Sequence, residues 1–174
     1  MKKTFFMAVT CLISLQLFAQ NKPEDKSKRA SPPATASQKL SNGTLIKIDY
    51  SQPSLKGRMI GKDVEPMDGQ VWRTGANEAT VFNTDKDVKI DGHLLPAGKY
   101  GLFTIFKGDE VTFIFNKVWN QWGAFSYKQD QDQLRVKTKW QKLSSPSEKV
   151  VFTISPQGKT SLRWGNREAS FTIR

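Results

Sequence analysis

The chain has 174 residues, enough for one domain with a short extension. Lys and Arg total 27 against 16 Asp and Glu, a formal net charge of +11, and apolar residues make up 37%, too many for a wholly disordered chain. One Cys and one His exclude a disulfide framework within the chain, a Cys-based zinc ribbon and a His-cluster metal site.

Met1-Lys2-Lys3 is a short positive segment, and Thr4 to Ala19 is uncharged and apolar. The run falls short of the ~20 residues a membrane span needs. Ala19 ahead of Gln20 supplies a small residue at a cleavage point. Residues 1–19 therefore read as a secretory signal peptide, which leaves no transmembrane span after cleavage. Cys11 lies inside the apolar run, not after it, so lipidation there is not expected. Cleavage after Ala19 would leave a mature chain without a thiol, which suits an oxidising compartment, periplasmic or extracellular. Residues 20–39 hold no aromatic and no Ile, Leu or Val, and read as a disordered tether.

From Leu40 the dominant period is two. Ile46, Ile48 and Tyr50 alternate with Lys47 and Asp49; Leu134, Val136, Thr138 and Trp140 with Arg135, Lys137 and Lys139; Val150, Phe152 and Ile154 with Val151 and Thr153; and Ala169, Phe171 and Ile173 with Ser170 and Thr172. Tyr100–Phe106 and Val111–Phe115 are apolar on both faces, as central strands covered on two sides would be. Lys107-Gly108-Asp109-Glu110 predicts the hairpin between them. Asp91-Gly92, Pro96-Ala97-Gly98, Pro156-Gln157-Gly158 and Gly165-Asn166 read as further turns. Nine or ten short strands without an amphipathic helix predict an all-β fold over residues 40–174: a single antiparallel β-sandwich of jelly-roll type.

Two segments break the alternation. Gln52–Asn77 is long and Gly-rich, yet holds Met59, Ile60, Val64, Met67, Val71 and Trp72, which predicts an ordered excursion. Its end reads Val71-Trp72-Arg73-Thr74-Gly75-Ala76-Asn77-Glu78-Ala79-Thr80. Arg73 and Glu78 bracket a turn and either pair with each other in the interior or line a ligand clamp. In the clamp, Arg73 binds an anion, Asn77 donates and accepts, and Glu78 accepts. The second segment, Asn116–Tyr127, gathers Trp119, Trp122, Phe125 and Tyr127 among Asn116, Asn120 and Gln121. It is either an aromatic lid on the sandwich or a surface of stacking planes and amides suited to a saccharide or peptide.

Catalytic signatures are sparse. His93 follows Asp91-Gly92 and reads as an exposed turn residue. Neither Gly-x-Ser-x-Gly nor a phosphate-binding or dinucleotide fingerprint is present. Glu78 with Asp49 or Asp68 is the one carboxylate pairing that would suit a glycosidase-like hydrolase. Asn83–Asp87 lacks the Gly and Glu of an EF-hand. Arg135, Lys137 and Lys139 lie on the strand face opposite Trp140, so cations and aromatics do not interleave as a specific nucleic-acid binder requires.

The segments IDYSQPSLKGR, VWRTGANEAT, LPAGKYGLFTI, FIFNK and QWGAFSY, in this order, closely resemble domain of unknown function 2911, from about Gln38 to Arg174. The resemblance implies one secreted or periplasmic bacterial domain in which these segments act together. It supplies no activity, substrate or cofactor. The combined expectation is an exported, non-catalytic domain that binds a small polar or saccharide-like ligand, or an envelope partner. Its site would be Arg73, Asn77, Glu78, Trp119, Trp122 and Tyr127, with no cofactor or metal. The alternatives are a hydrolase using Glu78 as general acid or base, and a purely structural envelope protein.

Overall fold

Period-two alternation becomes strand after strand along the chain, starting earlier than the sequence pattern implied. The computed structural model describes residues 24–174. The predicted signal peptide and Cys11 lie outside the described residues. Eleven strands follow in order: β1 (Pro33–Lys39), β2 (Leu45–Ser51), β3 (Val71–Trp72), β4 (Val81–Thr84), β5 (Val88–Ile90), β6 (His93–Leu95), β7 (Gly98–Lys107), β8 (Glu110–Asn116), β9 (Asp132–Lys139), β10 (Gln141–Ile154) and β11 (Lys159–Thr172). The only helical elements among the described residues are short 3-10 turns at Lys26–Lys28 and Gln129–Gln131. No helix among them is long and apolar enough to cross a membrane.

A seven-stranded antiparallel sheet runs β1-β2-β4-β7-β8-β9, with β3 also paired to β7. The hairpins β10–β11 and β5–β6 form two smaller sheets. One face of the large sheet contributes Ile46, Ile48, Phe82, Leu102, Phe113 and Phe115 to the main core, and β10–β11 adds Val150, Phe152, Leu162 and Phe171. Phe171 meets Phe113 at 4.9 Å, Phe115 at 5.6 Å and Phe82 at 6.5 Å between ring centroids, so the hairpin packs across the sheet as a second layer. On the opposite face a smaller cluster forms from Phe103, Ile114 and Ala79, with Val71, Ile105, Ala124 and Tyr127 around it. This double coverage is why β7 and β8 read as continuous apolar runs. The strand order establishes antiparallel layers and does not by itself specify a jelly roll.

The Asp91-Gly92 turn joins β5 to β6 with Ile90 opposite His93, and both turn residues have positive φ (46° and 88°), the geometry of a two-residue hairpin. Lys107 faces Glu110 across the β7–β8 hairpin. The excursion 52–77 is ordered as expected. Leu55 donates its amide to Glu148, and Trp164 Nε1 donates to the Glu65 carbonyl at 2.7 Å.

Two expectations are corrected. Residues 33–39, assigned above to a disordered tether, are β1, paired residue for residue with β2 from Pro33–Ser51 to Lys39–Leu45. Its only apolar contribution is Ala34 and Ala36, half-buried against the core. The strand is held by main-chain bonds, which composition does not report. Gly165-Asn166 is not a turn between strands; both residues lie within β11, where Gly165 (φ 58°) faces Ser147 between two register shifts, as in a bulge.

Candidate functional site

The turn after β3 is locked from inside. Trp72, buried at the end of β3, donates Nε1–H to the Gly75 carbonyl at 3.0 Å. Thr74 is fully buried with φ 55°, an unusual conformation for a β-branched residue. Its hydroxyl lies 3.2 Å from that of Thr104 on β7, and its carbonyl accepts the Thr80 hydroxyl at 2.9 Å. Such strain persists only where the surroundings over-determine it, and here three hydrogen bonds do so. Gly75 is required because a Cβ there would stand 2.9 Å from the Ser51 carbonyl oxygen.

The loop between β8 and β9 docks on this turn. Gln121 O accepts from Ala79 N and Asn77 O from Gly123 N, each at 3.0 Å. A Cβ on Gly123 (φ 64°) would lie 2.9 Å from Arg73 Nη1, so the guanidinium runs against the loop backbone. The two irregular segments singled out in the sequence therefore meet. The base of the loop is pinned by Asn116, which donates to Lys128 O and Asp132 Oδ1 and accepts from Val118 N.

The six expected site residues do not share one place. Tyr127 belongs to the base of the loop: its ring packs on Phe103 at 5.2 Å, it donates to Asp132 at 2.7 Å and accepts from Arg135 at 2.6 Å. Burial and the Asp132 bond push its phenol up to about 12. Asn77 donates to the Ser31 carbonyl at 2.9 Å, tying the turn to the chain ahead of β1. Trp122 is 56% exposed, with Arg29 stacked over its ring at 5.7 Å.

Glu78 does not pair with Arg73. Its carboxylate takes two hydrogen bonds from Arg29 Nη1 (3.0 and 2.8 Å) and one from Lys26 Nζ (2.8 Å), while Arg29 also pairs with Glu24. Burial acts to raise the Glu78 pKa, but the bonds from Lys26 and Arg29 outweigh it and hold the carboxyl down at about 2. Glu78 lines a cleft of about 240 Å³ with Asp49, Trp119, Asn120, Gln121 and Lys26. Of the two carboxylates weighed as its partner, Asp49 is brought to the cleft, whereas Asp68 accepts from Gly108 N elsewhere. Asp49 is itself engaged by Thr35 and Lys47. Trp119 is 37% exposed with Lys99 over its ring at 5.0 Å, and Gln121 Oε1 is buried without a hydrogen-bond partner among the described residues.

Arg73 faces the other side of the turn, in a separate cleft of about 330 Å³ with Arg58, Asp63, Glu65 and Met67. Desolvation lowers its pKa, opposed by the charge of Glu65, and its Nε is buried without a hydrogen-bond partner among the described residues. Sequence reasoning missed Lys26 and Arg29, which lay in the supposed tether, and the charged residues of the excursion, which lie on no regular element.

Fold and site together define an antiparallel β domain with two clefts flanking one rigid turn. The family model for "Protein of unknown function (DUF2911)" matches residues 31–173, and the chain belongs to that family. The match takes in β1, in agreement with its place in the sheet. No curated protein and no solved structure matches the chain.

Proposed function

We propose that this is an exported, non-catalytic domain that binds a small polar, saccharide-like ligand in the cleft of Glu78, Asp49, Trp119, Asn120 and Gln121. The observation that carries the reading is the Trp119 indole, 37% exposed, in one cleft with two carboxylates and two amides. An aromatic plane for a sugar face, with acceptors and donors for its hydroxyls, is the chemistry of carbohydrate recognition. Export rests on the positive and apolar N-terminal segment, with cleavage after Ala19.

The cleft also holds the carboxylate pair that a hydrolase would use. Glu78, however, has no proton to give near neutral pH and makes a weak base when held at about 2, which favours binding over catalysis. The exposed rings of Trp122 and Phe125 favour a partner-binding form of the same reading.

Titration with soluble neutral oligosaccharides, followed by tryptophan fluorescence, tests it. Trp119→Ala is expected to weaken binding ~3–10-fold, the loss of one stacking contact. Absence of a response to every saccharide tested, or an undiminished response in Trp119→Ala, would overturn the reading.

A further inference from the structure

The Arg73 cleft brings two cations and two carboxylates to one cavity. Arg58, Arg73, Asp63 and Glu65 all line it, and among the described residues no ion pair within 4 Å joins any of the arginines to either acid. Arg58 and both acids are held by neutral main-chain groups. Arg58 donates through Nε to Leu55 O and through Nη2 to Ser54 O. Asp63 accepts from Met59 N at 2.9 Å, and Glu65 from Met67 N at 2.8 Å. Those bonds use one oxygen of each acid and leave Asp63 Oδ1 and Glu65 Oε1 without a hydrogen-bond partner among the described residues.

Arg73 differs from Arg58 in having no such support. Its Nε is buried without a partner, and the Gly123 backbone crowds one end of the guanidinium. A desolvated cation of this kind is costly unless an anion meets it. A simple anion, however, would enter a cleft that already holds two carboxylates. A simple cation would face two arginines. The formal charge of the four residues sums to zero, which suits a ligand carrying both signs. Met67 and Val64 add apolar wall to the cleft.

We propose that this cleft is a second ligand site, separate from the Glu78–Trp119 cleft, that binds a small ammonium–carboxylate zwitterion: a free α-amino acid or a short peptide with free ends. The carboxylate meets Arg73, with Arg58 near it, and the ammonium meets Glu65 and Asp63. No residue lines both clefts. Binding here is independent of any saccharide at Trp119.

The test is thermal unfolding of the protein with L-leucine or the dipeptide Ala-Ala at millimolar concentration, beside acetate and ethylammonium as the two half-ligands. A ligand that binds only the folded state raises the midpoint. The expected result is a rise with a zwitterion, at least tenfold more ligand being needed for the same rise with either half-ligand. Arg73→Met is expected to abolish the effect while keeping or raising the midpoint without ligand, because it removes a desolvated charge that has no ion pair. Trp119→Ala is expected to leave the effect intact, which separates this site from the saccharide reading. Glu65→Gln keeps an acceptor for Met67 N and is expected to lose the preference of the zwitterion over acetate; this variant decides the matter should Arg73→Met fail to fold. No rise with any zwitterion, an equal rise with acetate alone, or an undiminished rise in Arg73→Met would overturn the proposal.

Discussion

Glu78 shows how far one carboxylate's role depends on which cation reaches it. Paired with Arg73 in the interior, it would be worth ~3–5 kcal/mol against removal of one partner. It is held instead by Lys26 and Arg29 with its side chain 38% exposed, where solvent screening leaves much less. Glu78→Gln should therefore cost at most ~1 kcal/mol. The pH dependence has a definite sign. The folded pKa, about 2, lies below the ordinary 4.5, so the contribution is fully present above pH 4.5 and is lost as the pH falls toward 2. Wild-type and Gln melting curves should differ slightly at pH 7, less in high salt, and converge as the pH falls through 2. The motif WRTGANE was legible as a place of interest because charge, amide and glycine crowd one turn. Its pairing was not legible, since Lys26 and Arg29 lie 52 and 49 residues from Glu78 along the chain.

At the scale of elements, what the sequence revealed tracks what side chains control. The strands with an apolar set on one face, and the doubly covered β7 and β8, were readable from period and composition. So was the Asp91-Gly92 turn, because positive φ demands such residues. β1 was not, because a strand made of Thr, Ser, Gln, Lys and two alanines gains its place from the main chain of β2. A chain beginning at Leu40 would expose the whole outer edge of β2 as a template for association. It is expected to melt lower and to aggregate, whereas a chain beginning at Ala30 keeps β1 and loses the contacts that Lys26 and Arg29 make with Glu78 and Trp122. Size-exclusion chromatography and melting curves of the two truncations distinguish these cases.

Across the whole molecule, cohesion runs through the contact between layers. Phe171 of β11 touches Phe82 of β4 and both Phe113 and Phe115 of β8, so it joins the second layer to two strands of the large sheet at once. Phe171→Ala should cost ~3–5 kcal/mol and lower the melting midpoint by roughly ten degrees or more, with loss of cooperativity if the hairpin parts from the sheet. Calorimetric and van't Hoff enthalpies that remain equal in the variant would instead show the layers unfolding together.

The ion pairs from Lys26 and Arg29 to Glu78 in the turn, set directly ahead of β1, also have a mechanical meaning. A domain held by its N-terminus receives any tug at that end. A force drawing the start of the chain away from the sheet would first load the salt-sensitive clasp at Glu78, and only then peel β1 from β2, one main-chain pair after another. The same tug would pull Lys26 and Pro33 out of the wall of the Glu78 cleft before a single core residue moved. In this fold, tension at the start of β1 and the shape of the Glu78 cleft are one variable.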